Sequence, residues 1–360
     1  MNKGTNSALM RQKNEKIILS LINNEPLSRA EIAKKTGLTK AAVTIITEDL
    51  INRGYITEKN VEVKSVGRNP VMLYINGDSV YVVGINITRM DVTVGITDIS
   101  GKIVSEECFD IDVPGKTVCS IEKSVKKQLS LIDENKIYKY SVVTPGPVDT
   151  RRGIILNPPN FDEWHGFEIV KNIGGMTDKK VVFGNVSAAT ALAEKYFGAG
   201  TNCSDFIALL VDSGIGSGIV TNNCLFDGRS EFGHISINHT GKPCRCGNRG
   251  CLERYASIPE LLEDTKYDSW KNVVDDNNYE IIKKEADYLG MAIISACNVF
   301  NIEKAVICGD ITYKPEMIVK LISDKISESV FTNIGFEVKS GVVNSKTLIA
   351  SSIAVDSFFN

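Results

Sequence analysis

The sequence has no long uninterrupted apolar run. No stretch approaches the roughly 18 consecutive apolar residues that a membrane-spanning helix needs. The first 16 residues are polar and lack the apolar core of a secretory signal peptide. We therefore expect a protein that has no membrane partner and resides in the cytoplasm.

Internal repeats and low-complexity segments are also missing. The chain has 360 residues, of which 43% are hydrophobic, which is ample for packed cores. A chain of this length and composition is typical of a globular protein with two or three domains.

Charge is unevenly distributed along the chain. Residues 1–75 carry 12 Lys and Arg against 7 Asp and Glu, whereas the remainder carries 29 against 37. A basic N-terminal segment on an acidic body indicates a polyanionic partner for that segment alone. On charge alone, a chance fluctuation is an alternative explanation.

The N-terminal segment has the signals of three consecutive helices. Apolar residues at helical spacing predict the first helix over 14–23. Ser28 and Glu31 form a capping box that predicts a second, short helix, and Gly37 ends it. Thr39 is the predicted N-cap of the third helix.

The spacing of the second and third helices is typical of a helix-turn-helix, and the strands predicted over 55–58 and 71–75 would form a wing after it. In such a module the third helix enters the major groove, helix N-termini bind phosphates, and the wing tip can enter a minor groove. A three-helix structural or protein-binding module is the alternative. The residues expected to contact double-stranded DNA are Ser28, Arg29, Thr39, Lys40, Ala41, Thr44, Ile45 and Arg68.

From Tyr81 onward the pattern is that of an α/β domain. It begins with three strands in a meander, followed by a helix over 118–135 and a further strand. The strands are predicted over 81–87, 92–98, 102–109, 140–143, 180–183, 205–211, 218–221 and 305–308, and further helices over 187–197 and 280–300.

Four motifs in this region resemble those of the ROK family of repressors, open reading frames and kinases. They are the turn Pro145-Gly146-Pro147-Val148-Asp149, the strand-to-helix segment from Asn185 to Glu194, the glycine-rich hairpin of residues 213–218, and the tetrapeptide Glu231-Phe232-Gly233-His234. The resemblance covers nearly the whole chain.

The resemblance implies a fold and a domain organisation. It implies an α/β fold in which a winged helix-turn-helix over 1–75 precedes an actin-like, sugar-kinase (ribonuclease H-like) domain over 76–360. That domain would have two lobes closing over a cleft, one of residues 76–185 with the C-terminal helix and one of 186–345.

The resemblance also implies a function. An added winged helix is the mark of the family's repressors of carbohydrate operons, such as those for xylose or N-acetylglucosamine. We therefore expect a repressor that is a homodimer or a higher homo-oligomer, binds a near-palindromic operator and responds to a sugar effector. The alternatives are a sugar kinase with an accessory DNA-binding module and a repressor controlled by a protein partner.

A compact group of cysteines predicts a metal site. Cys244, Cys246 and Cys251 follow a histidine, and three thiolates with one imidazole make a closed tetrahedral site for structural Zn²⁺. The alternatives are isolated reduced thiols and, less compatible with a cytoplasmic protein, a disulfide. His239 competes for the fourth position, but the resemblance favours His234.

The resemblance assigns the sugar-binding residues as well. Glu231 and Glu253 are expected to point inward from the module that holds the metal, since carboxylates accept hydrogen bonds from sugar hydroxyls. Asn160 and His165 are further candidates for the cleft. The predicted sugar-binding residues are Gly146, Asn185, Glu231, His234 and Glu253.

Kinase activity is not expected, because the chain departs from the family's kinases at three places. Where they have an aspartate and a glycine-rich phosphate loop, this chain has Asn86 and then Thr88-Arg89-Met90. Where they have the general base, it has Val186, which cannot accept a proton. Asp310 stands where a glycine is usual and would repel phosphate. Drift in a working enzyme is the alternative.

Overall fold

The computed structural model describes residues 7–60, 71–226, 230–328 and 335–360. The chain folds into two compact units. The first unit comprises Met1–Phe183 with Lys346–Asn360, and the second comprises Gly184–Ser345. None of the helices in the described ranges is long and apolar enough to span a bilayer.

The first unit begins with three helices and a small sheet. The sheet has the strand order β1-β3-β2, with both neighbouring pairs antiparallel, and Leu27 pairs with Leu73 in its register. The side chains of Ile18, Ile32, Val43 and Leu73 are fully buried and form the core. The elements are α1 (Ser7–Asn24), β1 (Leu27–Ser28), α2 (Arg29–Thr36), α3 (Lys40–Asn52), β2 (Ile56–Asn60) and β3 (Val71–Ile75).

The capping signals read from the sequence are present in the structure. The Ser28 hydroxyl and the Glu31 carboxylate complete a capping box at the start of α2, and Gly37 ends that helix in the left-handed conformation with a φ of 73°. Thr39 caps α3 through the backbone N–H of Ala42. The first helix begins at Ser7, earlier than predicted.

The first unit continues with a five-stranded sheet of order β10-β7-β4-β5-β6. Strands β4, β5 and β6 form the predicted antiparallel meander, and β7 is parallel to β4. The elements are β4 (Tyr81–Ile87), β5 (Asp91–Asp98), β6 (Ile103–Asp110), α4 (Pro114–Leu129), β7 (Ile137–Thr144), β8 (Val148–Asp149), β9 (Ile154–Ile155), α5 (Ile169–Gly174) and β10 (Val181–Asn185).

The helix predicted over 118–135 is displaced in the structure. It begins four residues earlier because Pro114 occupies its first turn, where the fixed φ of proline suits a helix and its missing N–H is not needed. It ends at Leu129, and the strand that follows begins at Ile137 instead of residue 140.

The second unit contains another five-stranded sheet, of order β13-β12-β11-β14-β15. Here β12 is antiparallel to β11 and to β13, whereas β14 is parallel to β11 and to β15. The elements are α6 (Val186–Phe197), β11 (Phe206–Val211), β12 (Ile215–Thr221), β13 (Cys224–Leu225), α7 (Glu253–Ala256), α8 (Ile258–Leu262), α9 (Trp270–Asp275), α10 (Tyr279–Phe300), β14 (Lys304–Cys308), α11 (Glu316–Ser327) and β15 (Glu337–Ser340).

The final helix, α12 (Lys346–Phe359), returns to the first unit and packs on β4, β5 and β7. Its last turn contacts the N-terminal module. The ammonium of Lys16 in α1 donates to the carbonyl of Ser357 at 3.3 Å, and the Phe358 ring meets the Tyr55 ring edge-on at a centroid distance of 5.5 Å. The N-terminal module is therefore attached to the C-terminal helix.

The two five-stranded sheets share one strand order. In each, the first strand pairs antiparallel with the second and parallel with the fourth, and the second pairs antiparallel with the third. This duplication is the arrangement expected for the actin-like or sugar-kinase class, so the predicted α/β fold class is confirmed.

Candidate functional site

The predicted recognition surface is the outward face of α3. Its inner face, including Val43 and Leu50, is fully buried, while Lys40 and Ala41 are exposed at its N-terminus and Ile45 is 59% exposed one turn later. Thr44 lies between them and is half-buried. The helix therefore presents to solvent the side chains predicted for the major groove.

Two predicted phosphate ligands have partners inside the protein. The Ser28 hydroxyl donates to the Glu31 carboxylate at 2.7 Å, and the Arg29 guanidinium donates to the Thr47 hydroxyl at 2.9 Å and to the Glu58 carboxylate at 2.5 Å. Ser28 thus caps α2, and Arg29 fastens α2 to α3 and β2. The role of both residues at DNA stays a prediction. The predicted wing-tip contact, Arg68, lies outside the described residues.

The cysteine group forms a closed four-donor cluster in the second unit. One ligand atom from each of His234, Cys244, Cys246 and Cys251 lies within 4.8 Å of every other. His239 is exposed and is not part of this cluster. None of the nine cysteines, all of which lie in the described ranges, is in a disulfide.

The separations within the cluster fit a zinc ion. Cys244 Sγ lies 3.6 Å from His234 Nδ1, and Cys246 Sγ lies 3.6 Å from Cys251 Sγ. Zn–S bonds of about 2.3 Å and Zn–N bonds of about 2.0 Å in a tetrahedron place the ligand atoms roughly 3.6 to 3.8 Å apart. These two separations match a tetrahedral zinc site, and all four ligand atoms lie close enough together to hold a metal ion.

The loop that carries the cysteines is shaped by two glycines. Gly247 has a φ of 91° and Gly250 a φ of 67°, which non-glycine residues rarely adopt. Gly250 also lies so close to the Asn238 carbonyl that any side chain would collide with it. The Leu252 N–H donates to the Ile235 carbonyl at 2.9 Å, which brings the last cysteine back beside the histidine segment.

The predicted sugar-binding carboxylates differ in their surroundings. Glu253 Oε2 accepts the backbone N–H of Ile215 at 3.0 Å, so this carboxylate holds the start of β12. Glu231 is exposed instead of pointing inward, because Phe232 and Gly233 occupy the buried positions of the 3₁₀ turn that it precedes. The contact of either glutamate with a sugar stays a prediction.

The other predicted sugar-binding residues lie at or just after the ends of strands. Asn185 is the N-cap of α6, and its side-chain oxygen accepts the N–H of Ala188 at 2.7 Å. Gly146 lies in the first unit, between β7 and β8, beside a cis bond to Pro147. Of the two lower-ranked candidates, Asn160 is exposed with a φ of 55°, and the exposed His165 has Nε2 2.9 Å from the Pro158 carbonyl.

The turn that would be a phosphate loop in a kinase is closed by its own side chain. The Thr88 hydroxyl oxygen accepts the backbone N–H groups of Met90 at 3.2 Å and Asp91 at 3.0 Å. The Asp91 carboxylate in turn receives the ammonium of Lys346 at 2.6 and 2.7 Å. The turn's amides are therefore engaged within the protein.

A carboxylate that the sequence analysis did not single out lies at the matching hairpin of the second unit. Asp212 follows β11 and accepts the Asp310 N–H at 2.6 Å. Burial raises the pKa of Asp212 to about 6, the Asp310 N–H opposes that shift and the Asp310 charge reinforces it. An acidic residue at the end of the apolar strand Phe206–Val211 is the signal that could have found it.

Comparisons with known proteins agree across both regions. The ROK family model matches residues 82–348, and a winged helix-turn-helix DNA-binding model matches residues 10–57. The xylose repressor of Caldicellulosiruptor bescii is 29% identical over 91% of this chain and 90% of its own length. The dual regulator NagC of Escherichia coli is 30% identical over 89% of this chain and 86% of its own length.

Solved structures show the same likeness. A ROK family transcriptional regulator described as a homologue of the E. coli MLC protein is 25% identical, with a TM-score of 0.79 over 97% of both chains. The ROK hexokinase of Thermus thermophilus, at 21% identity and a TM-score of 0.68, shares the fold over 76% of this chain and 97% of its own. The chain therefore belongs to the ROK family.

Proposed function

We propose that this protein is a sequence-specific DNA-binding repressor of a carbohydrate-utilisation operon, with residues 1–75 as its DNA-binding domain and 76–360 as its sugar-responsive domain. The observation that carries the proposal is that its likeness to xylose and N-acetylglucosamine repressors runs through both regions. A role on DNA places the protein in the cytoplasm.

The sugar effector is bound through the second unit by Asn185, Glu231, His234 and Glu253. His234 belongs to the four-residue cluster, and Glu253 follows the last cysteine, Cys251, by two residues. Both residues therefore lie next to the cysteine loop, which supports this assignment. Carboxylate and imidazole groups suit adjacent sugar hydroxyls.

The kinase-like domain does not phosphorylate its sugar. The closed turn at Thr88 supports this, because its amides already have an acceptor and are not directed at a phosphate. Val186, at the start of α6, offers no base for the attacking hydroxyl. Asp310 adds a carboxylate beside Asp212, which disfavours a bound phosphate.

The metal of the cluster is a structural Zn²⁺. Three thiolates and one imidazole fill all four positions, so no position is left for water or substrate. The ion holds the loop between His234 and Cys251 in the shape that positions Glu253.

The protein acts as a homodimer, since a two-fold protein reads two half-sites of a near-palindromic operator.

The test of the proposed function is a titration of the purified protein onto labelled DNA from its own upstream region, followed by fluorescence anisotropy at fixed, stated salt. Pentoses, hexoses and amino sugars are then added singly, and a coupled ATP-turnover assay is run on the same panel.

We expect tight binding, release or tightening by one sugar, and no ATP turnover. Binding that no sugar alters would contradict sugar control and favour a protein partner. Turnover of ATP with any sugar would contradict the non-enzymatic assignment.

A further inference from the structure

The outward face of α3 is largely apolar at its centre. Ala41 and Ile45 lie one helical turn apart and both are exposed, Ile45 by 59%. The core beneath is already filled by Val43, Ile46 and Leu50. The Ile45 side chain is therefore available to a partner.

Few hydrogen-bonding groups surround these two residues on the helix. From Lys40 to Ile51 the sequence contains no Arg, Asn or Gln, the side chains that most often read purine edges with two hydrogen bonds. The hydroxyl of Thr44 donates to the carbonyl of Lys40 at 2.9 Å, and the Asp49 carboxylate accepts from Arg53 at 2.9 Å. Lys40, exposed at the N-terminus of the helix, can read guanine, whereas at the centre of this face direct reading of bases must rely mainly on apolar contact.

The base feature that an apolar side chain recognises in the major groove is the 5-methyl group of thymine. Four residues of helix span about 6 Å. Successive base pairs are about 3.4 Å apart, so Ala41 and Ile45 match methyl groups roughly two steps apart.

We propose that Ala41 and Ile45 determine specificity by contacting thymine methyl groups, with Ile45 as the stronger determinant. This inference rests on the proposed DNA-binding function. Beyond that function, it specifies which bases the protein recognises and by which kind of contact.

The test begins with a duplex selected by the full-length protein from a randomised pool. Each thymine is replaced singly by deoxyuridine, which removes only the methyl group. We expect about fourfold weaker binding at one or two thymines per half-site, the loss that corresponds to one buried methyl group. In Ile45→Ala the replacement at the thymine contacted by Ile45 should have no further effect, whereas a thymine contacted by Ala41 should stay sensitive.

Ile45→Ala should fold normally, because the side chain is exposed and alanine favours helix. Leu131→Ala is the matched control: Leu131 is 63% exposed, lies outside the N-terminal module, and its truncation should leave binding unchanged. In a second measurement, the T·A pair contacted by Ile45 is replaced by C·G with or without a 5-methyl group on cytosine. The methylated form should bind more tightly in the wild type, and equally in Ile45→Ala.

Binding that persists with every thymine replaced, or equal sensitivity in wild type and Ile45→Ala, overturns this inference and leaves the proposed function intact. Failure to select any duplex overturns both.

Discussion

In both units, a glycine in a strand allows a helix to pack close to the sheet. In the first unit, a methyl group at Gly84 of β4 would lie 2.6 Å from the Ser351 hydroxyl of α12. In the second unit, a methyl group at Gly218 of β12 would lie 2.4 Å from the Ala191 methyl of α6. Glycine in the first hairpin of each sheet therefore makes room for a helix.

The chemistry of the two contacts differs. The buried residues of α6 include four alanines, whereas those of α12 include Thr347, Ser351 and Ser352. Within the described ranges, Ser351 Oγ and Thr97 Oγ1 are buried without a hydrogen-bond partner. Because an unpaired buried hydroxyl costs free energy, Ser351 lowers the stability of the contact in the first unit.

The hairpin ends differ as well. Thr88 closes the turn of the first unit through its own hydroxyl, whereas the second unit uses the carboxylates of Asp212 and Glu253. The segment that carries Glu253 is also joined to the cysteine cluster. The two sheets have the same strand order, but the side chains of each hairpin give it a different chemistry.

Among the variants that test this comparison of the two units, loss of the metal cluster should change the free energy of unfolding most. We expect Cys251→Ser to lose its zinc and to lower the free energy of unfolding of the second unit by about 4 kcal/mol or more, since binding of a structural metal contributes directly to folding. Zinc content by mass spectrometry and the thermal midpoint measure this. Cys224→Ser, at an exposed cysteine outside the cluster, should match the wild type in both.

The second largest effect on stability should come from a side chain at Gly218, the glycine of β12 that lies against α6. Gly218→Ala should destabilise by about 3 kcal/mol, because its methyl group meets the Ala191 methyl and the Ser187 carbonyl at 3.1 Å, neither of which can rotate away. Gly84→Ala should cost less, since its closest contact, the Ser351 hydroxyl, can turn aside, which leaves the Thr347 carbonyl at 3.0 Å as the nearest fixed atom. Urea unfolding measures both, and Gly115→Ala, with open space around it, is the neutral control.

The carboxylate of Asp212 should make stability depend on pH. Because burial raises its folded pKa to about 6, above the unfolded value, its stabilising contribution is present below about pH 4 and lost as the pH rises through about 6. Asp212→Asn keeps an acceptor for the Asp310 N–H. It should equal the wild type near pH 4 and be more stable by about 2 kcal/mol at pH 7. A constant difference across this range would contradict the assignment.

The smallest predicted effect is an increase in the free energy of unfolding. Ser351→Ala should stabilise the first unit by about 1 kcal/mol, because it removes a buried hydroxyl that has no partner. Ser141→Ala is the matched control. Its hydroxyl is equally buried but donates to the Ala350 carbonyl, so its loss should destabilise by about 1 kcal/mol. Equal signs for the two variants would refute the contrast.

Local signals predicted much of the N-terminal module and the metal cluster. The capping box at Ser28, the left-handed Gly37 and the N-cap Thr39 each depend on residues within three or four positions, so their spacing is visible in the sequence. The four metal-binding residues are also close in the chain. The start of α4 was missed although Pro114 was a local signal for it.

Contacts between distant residues were not predictable in this way. The Arg29 guanidinium lies against the carboxylate of Glu58, 29 positions away, and no local pattern indicated this contact. Glu194, named only as part of a family motif, accepts the N–H groups of Val342 at 2.9 Å and Val343 at 2.8 Å and so fastens α6 to a loop almost 150 residues later. Nothing in the spacing of such residues indicates that they meet.

The sequence by itself determined the order of the elements, the helix caps, the cysteine cluster and the family, because each of these is encoded in short patterns of residues. Only the tertiary structure decided which glycines face a helix and which carboxylates hold the backbone amides of distant residues. These depend on which surfaces the fold brings together, and a side chain acquires its pKa, its partners and its exposure from that packing.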